Sequence, residues 1–326
     1  MNMRYLTKQL LILIAIAFLA LSSGTAKAQS VKAVKGTFLY SLSNFTGAIP
    51  YSWVELALDK EKNEVYVCDG SDRSVRIFNE NGMEVYNFGE DSDLGNINIT
   101  HLAVDKDGNI LLLSYKHDVK GTSYSIIRCN FRGEVISRFE PHDLPSDFSG
   151  FLPIRIIYRE GRLYLVDKNL MKVAVTDMSG AYLDGYDLAA LLRFDEKKRA
   201  DTGIVGFSVD KEGNIFFTIP VQFQAYKVTP DHKIVAFGQR GSAPGKFNIV
   251  GGIATDDKGY LYLTDTLRCV VMIFDKDFKF LKEFGYRGYG PENLIAPMEL
   301  TVDNRDRIYV SQSARRGVSV FKITYN

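Results

Sequence analysis

The chain has 326 residues, with 40 Lys+Arg against 39 Asp+Glu and a formal net charge of +1. That balance argues against nucleic acid or anionic lipid as a general partner. Three cysteines, Cys68, Cys129 and Cys269, allow at most one disulfide, and no Cys-x-x-Cys-His or zinc-type Cys/His spacing accompanies them.

In chain order, Arg4 and Lys8 precede the apolar run "LLILIAIAFLAL" (10–21), and a polar segment ends in Ala26-Lys27-Ala28. A basic start, a short apolar core and an Ala-x-Ala end read as a secretory signal peptide over 1–28, cut after Ala28. The run is shorter than the about 20 residues a spanning helix needs, so no membrane span is expected. Removing Arg4, Lys8 and Lys27 leaves 37 basic against 39 acidic residues, a net charge of −2. The expectation is an exported, soluble protein, periplasmic or extracellular, with its working domain over 29–326.

That domain is built on a repeat. "LALDKEKNEVYVCDG" from Leu56 returns as "LAVDKDGNILLLSY" from Leu102, "IIYREGRLYLVDK" from Ile156, "FSVDKEGNIFFTI" from Phe207, "IATDDKGYLYLTD" from Ile253 and "LTVDNRDRIYVSQ" from Leu300. Aligned on Asp59, Asp105, Tyr158, Asp210, Asp256 and Asp303, the spacings are 46, 53, 52, 46 and 47 residues. Each copy carries short β-branched and aromatic runs separated by Gly, Asn and Asp, which are strand signals. Runs such as "YLYL" are apolar on both faces, as in sheets stacked between neighbouring sheets. Six four-stranded units at this period predict an all-β, six-bladed β-propeller. The last copy offers only "VSVFKITYN" (318–326) after its second strand. "VKGTFLYSLS" (34–43) matches the missing fourth strand, with Gly36 in the turn position, so an N-terminal strand is expected to pair with the last blade and close the ring. The recurring Asp reads as a turn residue; the calcium-loop alternative lacks the distal Glu and flanking helices it requires.

The stretch "PGKFNIVGGIATDDKGYLYLTD…VMIFDKDFKFLKEFG" resembles the NHL repeat, whose usual form joins a Pro-Gly-x-Phe lead-in to a Gly-Ile-Ala-Val-Asp first strand. The resemblance covers residues 34–326. It is strong in blade 5 and weak in blade 3, which has Tyr158 in place of the Asp and no Pro-Gly. It implies a six-bladed propeller without implying one function: members bind proteins or RNA, and related lyase and lactonase propellers are metal-dependent enzymes.

Strand order places the blade-to-blade loops and the second-to-third-strand loops on one end of the ring, the upper face, and the Asp/Gly hairpins on the lower. The irregular upper loops are the expected binding surface. A short helix is expected over 188–194. Arg73, Lys116, Arg268 and Arg315 in the second-to-third-strand loops are candidate contacts within a weakly basic rim. In blade 4, Val221 and Phe223 of "TIPVQFQAY" are candidate apolar contacts. No Gly-x-Ser-x-Gly, phosphate loop or dinucleotide fingerprint is present.

Four residues before each repeat Asp stand Glu55, His101, Ile154, Gly206, Gly252 and Glu299. Glu299, Glu55 and His101 fall in consecutive blades of a closed ring. They are candidate ligand-binding residues at the channel mouth, or polar groups in a hydrated channel. In an alternative reading they hold calcium or zinc for a lyase or lactonase-like hydrolase. The preferred expectation is a module without a cofactor that binds an extracytoplasmic protein or ligand through its upper face.

Overall fold

The computed structural model describes residues 34–325 apart from 70–72, 90–91, 96 and 120. The expected signal peptide lies outside the described residues. Among them, no helix is long and apolar enough to cross a membrane.

Six four-stranded antiparallel sheets follow one another along the chain. Their first strands are Glu55–Asp59, Asn98–Val104, Arg155–Arg159, Phe207–Val209, Val250–Thr255 and Leu300–Val302. Each of these packs beside the next, and the sixth packs beside the first, so they form the inner wall of a closed ring. The apolar core is divided in the same way. Six buried clusters each lie between two adjacent blades, for example Tyr164, Val173 and Tyr186 of blade 3 against Phe207, Ile215 and Phe217 of blade 4. Second strands such as Ile110–Leu113 of blade 2 are buried on both faces, which is why they read as continuous apolar runs rather than alternating ones.

The ring closes as the sequence predicts. Val34–Ser41 pairs antiparallel with Val318–Tyr325 as the outer strand of blade 6, with Phe38 opposite Phe321 and Ser41 opposite Ser319. Gly36 differs from expectation. It sits inside this strand opposite Ile323 rather than in a turn. A Cβ there would stand 2.7 Å from the Phe284 ring of blade 5, so glycine lets that ring pack flat on the closing strand.

The repeat Asp residues cap the lower hairpins. Asp105 Oδ1 accepts from the amides of Asp107 and Asn109, Asp256 Oδ1 from Lys258 and Tyr260, and Asp303 Oδ1 from Arg305 and Arg307. These are Asx-type turns, the structural role expected of them. Blade 3 departs by one residue. Tyr158 pairs with Leu163 as Val104 pairs with Ile110, so Arg159, not Tyr158, stands where the other blades have Asp. The blade 3 turn is one residue shorter than that of blade 2, and this shift moves every inner-strand position of that blade.

The insertion after blade 3 forms two short helices, Leu188–Leu191 and Glu196–Ala200, capped by Asp187 and Asp195. Leu188 and Ala189 are fully buried between blades 3 and 4, and Arg199 donates to both Asp187 oxygens at 2.9 and 2.8 Å. The segment is pinned to the ring. Cys68, Cys129 and Cys269 are all buried, and burial pushes the Cys129 thiol up to about 12.

Candidate functional site at the channel mouth

Side chains of a strand alternate, so positions i, i+2 and i+4 of each inner strand line the same wall. With blade 3 in its observed register, the upper ring of positions is Glu55, His101, Arg155, Gly206, Gly252 and Glu299. The structure therefore brings together the three residues picked out by sequence and adds a fourth, Arg155, in place of Ile154.

Arg155 organises the cluster. Its Nη2 lies 2.8 Å from Glu299 Oε2, and its Nη1 lies 3.5 Å from Glu55 Oε2 and 3.4 Å from His101 Nε2. His101 Nε2 is in turn 3.4 Å from Glu55 Oε2. His101 and Glu299 are buried. Burial, reinforced by the Arg155 charge, pulls the His101 pKa down to about 3, so the imidazole is neutral. Burial pushes the Glu299 carboxyl up against the opposing pull of Arg155. For Arg155 itself burial works against the charge, yet the carboxylates of Glu299 and Glu55 outweigh it and hold the guanidinium protonated. The positive charge that a metal would bring to two carboxylates and an imidazole is supplied by the chain's own Arg155. Among the described residues no three His, Cys, Asp or Glu side chains converge as a metal-ligand set.

The other half of the ring is closed by threonine hydroxyls that bridge backbone groups. The Thr218 hydroxyl accepts from Gly206 N at 2.8 Å and donates to Gly251 O at 2.6 Å. Thr264 repeats the device between Gly252 N and Met298 O, both at 2.8 Å. A Cβ at Gly252 would meet Met298 O at 2.4 Å. Glycine at these two positions lets neighbouring strands approach; it does not vacate a ligand site.

The cluster divides the channel. Below it, a cavity of about 300 Å³ runs down past Leu58, Ile157, Ser208 and Thr301. At the lower mouth Lys60 of blade 1 and Arg159 of blade 3 converge on Asp257 of blade 5, at 3.1 and 3.2 Å. Above it, a cavity of about 570 Å³ opens on the upper face, with Glu55 and Arg155 in its floor, Ile99, Ile154, Ile204 and Met298 in its walls, and Trp53 and Lys168 at its rim. Lys168 is exposed and has no ion pair among the described residues.

The remaining candidates are dispersed. Arg268 is committed to structure: its Nη2 is 2.5 Å from Glu283 Oε1 and its Nη1 donates to Lys246 O. Lys116 and Arg315 are exposed and Arg73 is half-buried. The blade 4 pair separates: Val221 is 64% exposed, while Phe223 packs on the blade 4–5 cluster with the Arg240 guanidinium 4.7 Å above its ring. A left-handed backbone at Phe223 (φ 56°) turns the ring inward.

No family model matches the chain, and no curated protein matches its sequence. Solved structures do. The chain superposes on a protein of unknown function from Bacteroides thetaiotaomicron with a TM-score of 0.62 at 13% identity, over 89% of this chain and 76% of that one. Virginiamycin B lyase from Staphylococcus aureus gives 0.57 at 11% identity, over 90% and 100%. A gluconolactonase from Xanthomonas campestris gives 0.51 at 15% identity, over 92% and 94%. At these identities the likeness shows the fold, a six-bladed propeller, and no activity.

Proposed function

We propose that the protein is an NHL-type propeller that acts outside the cytoplasm as a binding module, with its ligand seated at the upper face of the ring. The observation that carries this reading is the upper cavity: an apolar wall of Ile99, Ile154, Ile204 and Met298, an exposed Trp53, an unpaired Lys168 at the rim, and a floor already neutralised by Arg155. Such a mixture, mostly apolar with a few placed polar groups, suits a ligand with an apolar body and an anionic end. The repeat pattern supports the NHL assignment, and the leader "LLILIAIAFLAL" supports export.

The test is a thermal-shift titration with amphipathic carboxylates, from octanoate to short acidic peptides. Ligands that stabilise the parent should lose their effect in Ile154→Trp, which fills the mouth, and in Lys168→Glu. Stabilisation that survives both variants places the site elsewhere, and no stabilisation by any of them removes the reading. The lyase and lactonase neighbours make enzyme activity the competing reading. It is tested with quinupristin and a gluconolactone, with and without divalent cations. Turnover that disappears in His101→Gln would replace the binding module by an enzyme.

A further inference from the structure

We propose that the upper rim of blades 4 to 6 docks an acidic peptide segment of a partner protein, one that also carries apolar or aromatic side chains. This rests on the binding reading of the upper face and adds the chemistry of the partner.

The surface is built from two copies of one loop. Gly238-Gln239-Arg240-Gly241 leads from blade 4 into blade 5, and Gly285-Tyr286-Arg287-Gly288 leads from blade 5 into blade 6. Phe247 N donates to Gln239 O at 2.8 Å, and Leu294 N donates to Tyr286 O at 2.9 Å. Phe247 and Leu294 are both fully buried and anchor their loops, so Arg240 and Arg287 are presented at equivalent points of adjacent blades, both exposed. Polar contacts link the rim onward. Arg287 donates to Leu267 O, Arg316 to Tyr289 O and Gly290 O, Arg315 N to Ser52 Oγ, and Trp53 Nε1 to Ala296 O. One continuous surface therefore runs from blade 4 to the rim of the upper cavity.

Its charge is one-sided. Arg240, Lys246, Arg287, Arg315 and Arg316 have no carboxylate partner among the described residues, and Glu292 is the exposed acid of the intervening loop. The second-to-third-strand loops alone showed only a weak basic bias; the blade-to-blade loops add three of these five cations. Between the cations stand exposed apolar groups: Tyr289 at 78%, Tyr286 at 54%, Leu267 at 50% and Ile249 at 44%. Arginine and tyrosine beside desolvatable aliphatic groups are the composition of a protein-binding hot spot, and the unpaired cations select an acidic partner. Tyr286 and Tyr289 would serve as base-stacking platforms too; it is Leu267 and Ile249, aliphatic surface that peptide side chains bury better than nucleotides do, that favour a peptide. A second copy of this chain fits less well. The acidic loop between blades 2 and 3 already spends Asp143 on His142 and Asp147 on Lys172.

The experiment uses purified full-length protein and a fluorescent random glutamate–tyrosine copolymer as probe, with polyglutamate and polyuridylate beside it. The copolymer should bind more tightly than polyglutamate and lose affinity as salt rises. Arg240→Glu/Arg287→Glu should weaken binding about tenfold or more with an unchanged melting temperature, and Leu267→Ser/Tyr286→Ser should remove the preference over polyglutamate. The lower-face control Lys211→Glu should bind like the parent. No copolymer binding, equal binding by all variants, polyuridylate bound as tightly, or a salt-sensitive dimer of the protein that covers the arginines would each overturn the proposal. Ligands that depend on Ile154 and Lys168 while the arginine variants behave like the parent would leave the upper-cavity reading standing and remove this one.

Discussion

Replacing Arg155 by Met should expose how the ring is held at its centre. The guanidinium lies 2.8 Å from Glu299 and 3.5 Å from Glu55. At an effective dielectric of about 20, charges that close attract by about 6 and 5 kcal/mol, and the desolvation of buried Glu299 and of the partly buried Arg155 and Glu55 offsets most of this. Removing the cation leaves two carboxylates on neighbouring blades with no counter-charge, a loss of about 3–5 kcal/mol. A domain of this length has an unfolding entropy of about 0.6 kcal/mol/K, so the melting temperature should fall by about 5–8 °C at neutral pH. The deficit should shrink in acid. Burial already raises the Glu299 pKa, and without Arg155 it rises further. A folded-state carboxyl pKa above its unfolded value means stability lost as pH rises through that interval and regained as pH falls. The assay is differential scanning calorimetry of parent and variant from neutral to mildly acidic pH. A variant that melts like the parent, or whose deficit grows as the pH drops, would refute the reasoning; Arg155→Met/Glu299→Leu should recover part of the loss.

Three further outcomes follow from the same structure. Deleting 34–41 removes the outer strand of blade 6 and bares the edge of Val318–Tyr325; it should cost more than about 5 kcal/mol or cause aggregation, read by light scattering and melting, and a soluble monomer melting like the parent would break the closure argument. Burial and the Arg155 charge hold the folded His101 pKa well below its ordinary 6.5, at about 3, so its contribution is complete above about pH 6.5 and is lost progressively below it, by about 2–3 kcal/mol near pH 4.5; His101→Gln should flatten the parent's acid limb in urea titrations, and an unchanged limb counts against a neutral buried imidazole. Val221→Ser should alter stability by less than about 0.5 kcal/mol, whereas Phe223→Ser should cost about 1–3 kcal/mol in the same titrations; equal effects would show that the two side chains share one environment.

The blades were legible because a propeller imposes the same demand six times. Ile110–Leu113 and Leu261–Leu263 must be apolar on both faces, since each blade is buried between two others, and the hairpin Asp must recur because it accepts the same turn amides. The closing strand was legible from the missing fourth run. The channel cluster was legible only in part. Glu55, His101 and Glu299 stood at matching positions, but Arg155 was hidden by a turn one residue shorter than that of blade 2. Two signals pointed to it: Arg159 sits beside Tyr158 in the Asp column, and Arg155 follows Ile154 just ahead of the apolar run Ile156–Tyr158. The basic rim was missed for a different reason. Its arginines are divided between two classes of upper loop that are separate in sequence and adjacent in space. The inward turn of Phe223 depends on one positive φ angle, which no residue pattern in "TIPVQFQAY" announces.

The two halves of the ring are closed by different chemistry, and this bears on what each half can carry. In blades 4 to 6 the Thr218 and Thr264 hydroxyls join glycine amides to carbonyls of the next blade, uncharged bonds that are insensitive to pH and salt. The loops above that half, with Arg240 and Arg287, stand on the more invariant frame, and a surface held in place before docking loses less entropy when the partner arrives. From blade 6 through blades 1, 2 and 3, closure depends on Arg155 meeting Glu299, Glu55 and His101. The upper cavity lies over that half, with Glu55 and Arg155 in its floor. A ligand anion reaching Arg155 would compete with Glu55 at 3.5 Å more readily than with Glu299 at 2.8 Å. A ligand anion in the cavity would therefore act first on the contact between blades 1 and 3.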